Sequence, residues 1–154
     1  MLLDFASLTP LERYRWLAST ITPRPIAWVS TRSPEGVDNL APFSFFQVIS
    51  DDPPTLLVNV NHRADGSLKD TLRNAQATGE LVIQLVSFEQ AYAMNASSAQ
   101  LAPQQSEFEY CGIATAPSQC VAPPRVAAAA VAFECRVAQI LAYPPQAQIG
   151  RAHV

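Results

Sequence analysis

The chain has 154 residues, of which 49% are hydrophobic, and its formal net charge is −3 with 10 Lys and Arg against 13 Asp and Glu. This length and apolar content predict one domain, over residues 1–154, with a single sizeable core. The few scattered basic residues argue against a nucleic-acid-binding protein, and no stretch approaches the roughly 18 apolar residues that would span a membrane.

Residues 1–20 are predicted to form a short helical lead-in. Thr9 has the pattern of an N-cap, with Pro10 in the first turn and Glu12 three residues after the cap. The segment lacks the basic start and long apolar run of a signal peptide, so we expect a cytoplasmic protein. Three cysteines without a C-x-x-C pair are expected to be free thiols, namely Cys111, Cys120 and Cys135.

Three strands are predicted between residues 26 and 61. The first, at 26–31, is rich in β-forming residues, and a turn at 33–36 reverses the chain. The second strand runs from Leu40 to Ile49 and contains Pro42, which cannot donate to a ladder and therefore indicates a bulge or a sheet edge. The third strand, at 55–61, follows a stop at residues 51–54.

The rest of the chain is predicted to add helices and strands to this sheet. Ser67 begins a capping-box pattern for a helix that ends at Gly79, residues 81–86 form a buried strand, and 88–98 a second helix. Residues 99–124 are predicted to be loops, and 126–141, which begins with alanines at 127–130, a long strand. Residues 150–154 resemble the first residues of a further strand. We therefore expect a mainly β fold, a β-barrel with helical covers that is truncated at its C-terminus and lacks its last strand.

Three segments carry side chains from which chemistry can be argued. Residues 22–31 are a candidate for a functional site, but they are equally consistent with a strand that follows a solvated Arg24. The alternative to a site at residues 39–46 is an aromatic strand of the core. Residues 62–71 combine the free N–H groups of a helix start with two cations and two hydroxyls, which suits a phosphate. These side chains are Arg63, Lys69, Ser67 and Thr71. The alternative for this segment is a polar loop before an ordinary N-cap.

Other common sites find little support in the sequence. The G-x-x-x-x-G-K and G-x-G-x-x-G patterns are absent, which excludes a Walker loop and a Rossmann nucleotide site. Two histidines, His62 and His153, are too few and too poorly placed for Ser/His/Asp catalysis or a hydrolytic metal centre, so no metal is expected. His153 is interpreted as a strand residue rather than a nicotinamide contact.

With these segments identified, the chain resembles the flavin reductase-like, FMN-binding split-barrel family. The matching residues cover most of the chain from residue 20 onward, at 22–31, 39–46, 69–74, 94–98, 106–108, 112, 123–126 and 133–135. A pyridoxamine-phosphate-oxidase-like barrel, which also binds FMN, matches the chain less well.

The resemblance implies a homodimeric flavin reductase-type oxidoreductase that binds FMN, with FAD as the alternative, and takes a hydride from NAD(P)H as co-substrate. A monooxygenase component is an implied partner. Flavin chemistry needs no protein acid or base for the hydride step, so no catalytic residue is expected. A competing reading is an FMN-binding module for electron transfer or storage without NAD(P)H activity. The residues that the resemblance places at the cofactor are Arg24, Pro25, Ala27, Trp28, Val29, Ser30, Thr31, Asn39, Ala41, Pro42, Phe43, Ser44, Asn59, Arg63, Ser67, Lys69, Asp70 and Thr71.

Overall fold

The computed structural model describes residues 3–142 in full and the backbone of residues 147–153. Its helices are α1 (Pro10–Thr20), α2 (Asp70–Thr78), α3 (Ala91–Ala96) and α4 (Glu107–Tyr110), with short 3-10 segments at Phe5–Ser7 and Phe88–Gln90. Its strands are β1 (Ala27–Arg32), β2 (Asp38–Phe43), β3 (Phe46–Asp51), β4 (Pro54–Asn61), β5 (Glu80–Leu85), β6 (Thr115–Ala116), β7 (Arg125–Val126), β8 (Ala132–Ala142) and β9 (Ala147–His153). In this described part of the chain, no helix combines the length and the apolar character needed to cross a membrane.

Seven strands form one sheet in the order β2-β1-β5-β8-β9-β4-β3, while β6 and β7 pair separately. The two end strands, β2 and β3, are joined by only Ser44 and Phe45. The sheet must therefore curl until its two ends come near each other, because two residues cannot bridge a flat seven-stranded sheet. Asn59 N donates to Phe45 O at 2.9 Å and so attaches β4 to this corner. The result is the predicted mainly β barrel.

Pro42 lies on an edge strand, as its missing N–H requires. β2 pairs on one side with β1, where Pro42 stands opposite Trp28. The prediction of one strand from Leu40 to Ile49 is wrong, however, because the strand ends at Phe43 and a new one starts at Phe46. This break is the corner at which the chain changes from one end of the sheet to the other.

Residues on the two faces of β1 belong to different apolar clusters. Ala27 and Val29 lie in the barrel interior, which Leu72 of α2 also enters. Trp28 lies on the other face and packs against Phe108 of α4. Both faces of β1 are therefore buried, and the burial of Leu72 brings the first turn of α2 close to β2.

The start of α2 differs from the prediction. Lys69, rather than Ser67, is its N-cap residue, and no side chain caps the helix. The Ser67 hydroxyl instead donates to Asp65 at 2.6 Å, within a turn closed by Arg63 N and the Ser67 carbonyl at 2.9 Å. A local hydrogen bond in the preceding loop has thus replaced the expected cap. The capping box of Thr9 and Glu12 in α1 is confirmed.

The later elements correct two further expectations. The alanines at 127–130 lie in a turn between β7 and β8, where Ala129 N donates to Val126 O, and alanine's weak strand preference allows this break. The segment predicted to be loops contains the short helix α4 and β6. β9 begins at Ala147 and pairs with both β8 and β4, so the sheet ends are β2 and β3. The side chains of β9, including that of His153, lie outside the described residues.

Candidate functional site

Two adjoining depressions lie where β2 meets the first turn of α2. The first has an empty volume of about 530 Å³ and is lined by Asn39, Ala41, Pro42, Arg63, Lys69, Asp70, Thr71, Ser97, Ser98, Ala99, Gln100, Leu101 and Glu107. The second, of about 410 Å³, is lined by Tyr14, Pro42, Phe43, Ser44, Phe45, Asn59, Asn61 and Lys69. Because Pro42 and Lys69 line both, the two form one feature, which we call the β2–α2 groove.

Lys69 stands at the junction of the two depressions and is the only lysine of the chain. Its Nζ lies 5.4 Å from the centroid of the Phe43 ring, and its side chain is half-buried. Burial lowers the pKa of Lys69, and the nearby charge of Arg63 lowers it further. Within the described residues Lys69 has no ion-pair partner, so an anion in the groove would relieve the cost of this desolvated charge.

Asp70 holds the loop before α2 against the helix. Its carboxylate bonds Arg63 Nη2 at 2.5 Å and also pairs with Arg73, while Arg63 Nη1 donates to Leu68 O at 3.0 Å. Two guanidinium groups therefore face one carboxylate. The cluster keeps an excess of positive charge despite the acid in its centre.

The first turn of α2 adds neutral donors to this charge. Asn39 Nδ2 donates to Thr71 Oγ1 at 2.9 Å, which leaves the proton of the Thr71 hydroxyl free to donate elsewhere. No side chain caps the helix, and only the N–H groups before that of Leu72, which donates to Lys69 O at 3.1 Å, have no intrahelical partner. An uncapped helix start with a hydroxyl and a lysine beside it is suited to a phosphate or a carboxylate.

The other end of the groove is aromatic and carries an open acceptor. Asn59 Oδ1 is buried and lacks a hydrogen-bond partner in the described part of the molecule. Arg24 Nε donates to Ser44 Oγ at 3.3 Å, and its guanidinium lies 5.7 Å from the centroid of the Phe45 ring. Tyr14 of α1 approaches the same ring, at 5.9 Å between centroids. This end can hold a flat ring system that brings its own N–H donor.

The structure brings ten of the predicted residues to the groove, and Arg24 joins them through Ser44. These ten are Asn39, Ala41, Pro42, Phe43, Ser44, Asn59, Arg63, Lys69, Asp70 and Thr71. It does not bring the side chains of β1 there, nor those of Pro25 and Ser67. Trp28 Nε1 donates to Ser97 Oγ at 2.9 Å, Ser30 Oγ to Pro124 O at 2.5 Å, and Thr31 Oγ1 accepts from Asn74 at 3.1 Å. The side chains of Ala27 and Val29 pack in the core, so a cofactor role for β1 stays a prediction.

Glu107 lies in the groove but was not among the cofactor-binding residues predicted from the sequence. Its side chain is buried, and Oε2 accepts from Leu40 N at 2.9 Å, which ties α4 to β2. Burial raises the pKa of Glu107, although the Leu40 amide opposes this shift. Glu107 falls in a segment predicted to be loops, and its only sequence signal was the matching segment 106–108. In the described ranges, no three His, Cys, Asp or Glu residues are grouped as metal ligands.

The sequence profile of the flavin reductase like domain matches residues 19–150. The chain belongs to the flavin reductase-like family. An uncharacterized protein from Halalkalibacterium halodurans is 42% identical over 141 residues, which cover 92% of this chain and 68% of that protein. The chain spans about two thirds of the length of the curated relatives that it matches, between 63% and 68% for four of them.

Several solved structures have a fold similar to that of this chain. Nitrilotriacetate monooxygenase component B from Bacillus cereus has a TM-score of 0.94 and 30% identity, covering 100% of this chain and 78% of its own. The 2-nitrobenzoate 2-nitroreductase of Pseudomonas fluorescens has a TM-score of 0.90 and 28% identity, covering 100% and 74%. A split-barrel domain protein from Shewanella frigidimarina, at 17% identity, has a TM-score of 0.85 and covers 99% and 77%. The flavin reductase-like chain is thus a split barrel.

Proposed function

We propose that this chain binds FMN in the β2–α2 groove and acts as a flavin reductase-type oxidoreductase that passes a hydride from NAD(P)H to the flavin. The observation that carries the proposal is the half-buried Lys69 ammonium, which has no ion-pair partner among the described residues and lies beside the uncapped start of α2. A phosphate monoester carries close to two negative charges at neutral pH and is the kind of anion this arrangement favours.

The residues of the groove fit such a cofactor at both ends. Lys69, Arg63 and the Thr71 hydroxyl would hold the phosphate. The unpartnered Asn59 Oδ1, at the aromatic end, would accept from an N–H of the ring system. This placement supports FMN over riboflavin, and FAD is the alternative because it presents a phosphate as well.

The bound flavin would supply the redox chemistry by accepting a hydride, and the chain would supply position and electrostatics. Arg24 holds Ser44 and lies over the Phe45 ring, which keeps the corner between β2 and β3 in place. Phe43, with Lys69 above its ring, forms part of the groove wall. No side chain is assigned to proton transfer.

A monooxygenase component is the proposed acceptor of the reduced flavin. The support is the likeness, at 30% identity, to nitrilotriacetate monooxygenase component B. We further propose a cytoplasmic location, in accordance with the three unpaired cysteines. The second candidate function is FMN-dependent electron transfer or storage without NAD(P)H activity, which needs only the flavin site.

Flavin extraction followed by anaerobic reduction tests the proposal. The purified protein is denatured, and the released flavin is identified by HPLC. The protein is then reconstituted with FMN and mixed with NADH or NADPH under nitrogen, where loss of the yellow colour is expected. A protein that contains no flavin and binds none overturns the proposal. FMN binding without bleaching by either nucleotide supports the electron-transfer or storage function instead.

A further inference from the structure

We propose that Glu107 binds the cofactor phosphate as the neutral acid, so that FMN binding takes up a proton. The inference rests on the proposed FMN site and adds a residue and a charge state to it. The proton comes from solvent and stays on the Glu107 carboxyl, which then donates its O–H to a phosphate oxygen.

The position of Glu107 carries this inference. It lines the same depression as Lys69, Arg63 and Thr71, and its side chain is only 6% exposed. Its Oε2 accepts one backbone N–H, from Leu40, and Glu107 has no ion-pair partner within the described residues. A phosphate in this depression would therefore meet an unpaired carboxyl group on the wall.

The charges around Glu107 favour its neutral form once an anion is present. Lys69, Arg63 and Asp70 line the depression, and Arg73 pairs with Asp70, so these four side chains carry two surplus positive charges. Asp65, in the loop before α2, is exposed, lies outside the depression and accepts from the Ser67 hydroxyl. Two positive charges balance a phosphate dianion, whereas an ionised Glu107 would leave the cluster with a net charge of only one. The acid is thus expected to be protonated in the complex.

Other titratable groups nearby do not change this balance of charge around the phosphate. Asp38 on β2 pairs with Arg32 at 2.7 Å, Glu109 on α4 is exposed outside this depression, and α3 carries no charged residue. Cys111, just after α4, has its pKa raised by burial and by Glu107. Among the described residues that line the depression, Glu107 is therefore the acid without an ion-pair partner, since Asp70 is paired with Arg63 and Arg73.

The direction of the pH effect follows from linkage. Burial already raises the pKa of Glu107 in the free protein, and a phosphate dianion would raise it further. Between these two pKa values the complex holds a proton that the free protein lacks, so FMN affinity falls as pH rises. The second ionisation of the FMN phosphate acts in the opposite direction, because the dianion binds cations better.

Calorimetric titration of the apoprotein with FMN and with riboflavin, from about pH 6 to about pH 9, measures this effect. Two buffers of different ionisation enthalpy give the number of protons taken up. We expect FMN binding to wild type to take up to about one proton, with affinity falling by up to about tenfold per pH unit, while riboflavin binding takes up none. Glu107→Gln keeps an oxygen for the Leu40 N–H and should abolish the uptake and tighten FMN binding at high pH.

Glu109→Gln is the matched control, since it removes a charge from the same helix outside the depression and should behave as wild type. FMN binding to wild type without proton uptake overturns the inference, as does an unchanged pH slope in Glu107→Gln or an equal slope for riboflavin. These outcomes would not contradict the proposed FMN site. Failure of wild type to bind FMN overturns the proposed function itself. If Glu107→Gln does not fold, the proton count is repeated with Lys69→Gln, because a phosphate would also raise the lowered pKa of Lys69. Proton uptake that persists in Lys69→Gln supports Glu107, and its loss overturns the inference.

Discussion

At the residue scale, the groove depends on a few charges whose environments differ. Asp70 is paired with two arginines, Lys69 has a desolvated ammonium without an ion-pair partner in the described structure, and Glu107 is a buried acid with a single amide donor. A charge that lacks a partner in the folded chain is the one that a ligand can complete. Lys69 is therefore the most direct point at which to test the phosphate end.

Lys69→Ala should weaken FMN binding by roughly tenfold to a hundredfold, because a charge-assisted hydrogen bond contributes about 1.5–3 kcal/mol. Riboflavin, which lacks the phosphate, should bind as before. Isothermal titration of the apoprotein with both ligands measures the difference.

The control for this substitution is Arg136→Ala, which removes an exposed cation of β8 outside the groove. Its FMN affinity should equal that of wild type. An equal loss for FMN and riboflavin in Lys69→Ala would indicate general damage to the fold. Unchanged affinity for both would place the phosphate elsewhere.

At the element scale, the segment after α3 is held to β1 by a buried hydrogen bond. Trp28 Nε1 donates to Ser97 Oγ at 2.9 Å, and both side chains are about 1% exposed. The Ser97 hydroxyl in turn donates to Met94 O at 2.7 Å. Since Ser97 also lines the groove, this link ties one wall of the site to the centre of the sheet.

Ser97→Ala should lower the free energy of unfolding by about 1–3 kcal/mol, because it leaves the Trp28 N–H buried without an acceptor. Urea denaturation followed by tryptophan fluorescence measures the change. The adjacent Ser98 offers a close control, since its side chain is exposed and donates only to Asn95 O at 2.6 Å. Ser98→Ala should stay within about 0.5 kcal/mol of wild type. Equal stabilities of the two variants would contradict the proposed link.

At the scale of the whole molecule, α1 leaves an apolar surface uncovered. None of its residues is buried, and the exposed fraction reaches 56% for Leu11, 42% for Leu17 and 61% for Ile21, just after the helix. Tyr14 and Trp16 on the same helix are also exposed. A contiguous apolar patch of this kind is typical of an interaction surface.

We predict that the protein is a homodimer that buries α1, with a solution mass near twice the 16.7 kDa of one chain. Light scattering at micromolar concentration measures this mass. Leu17→Lys places a charge in the interface and should shift the population to monomer. Ala77→Lys adds the same charge to an exposed position of α2 and should leave the dimer intact. A monomeric mass for wild type contradicts the prediction.

Features set by neighbours in the chain could be predicted from the sequence. The capping box of α1 depends on residues three apart, and Pro42 excludes an interior strand position wherever the fold places it. The phosphate-binding hypothesis was possible for the same reason, since its residues all lie between Arg63 and Thr71. The structure keeps Arg63, Lys69 and Thr71 in one depression but assigns the Ser67 hydroxyl to a local turn.

Only the tertiary structure decided what depends on distant contacts. The break at Ser44 and Phe45 has no marker as strong as proline or glycine, because it arises from the curling of the whole sheet, which brings its two end strands near each other. β1 is buried on both faces only once α2 and α4 have packed against it. Glu107 lies 38 positions after Lys69 in the sequence, and its hydrogen bond from Leu40 N holds it at the groove. Local backbone preferences are encoded over a few residues, whereas burial and the partners of a charge are settled only when remote segments meet.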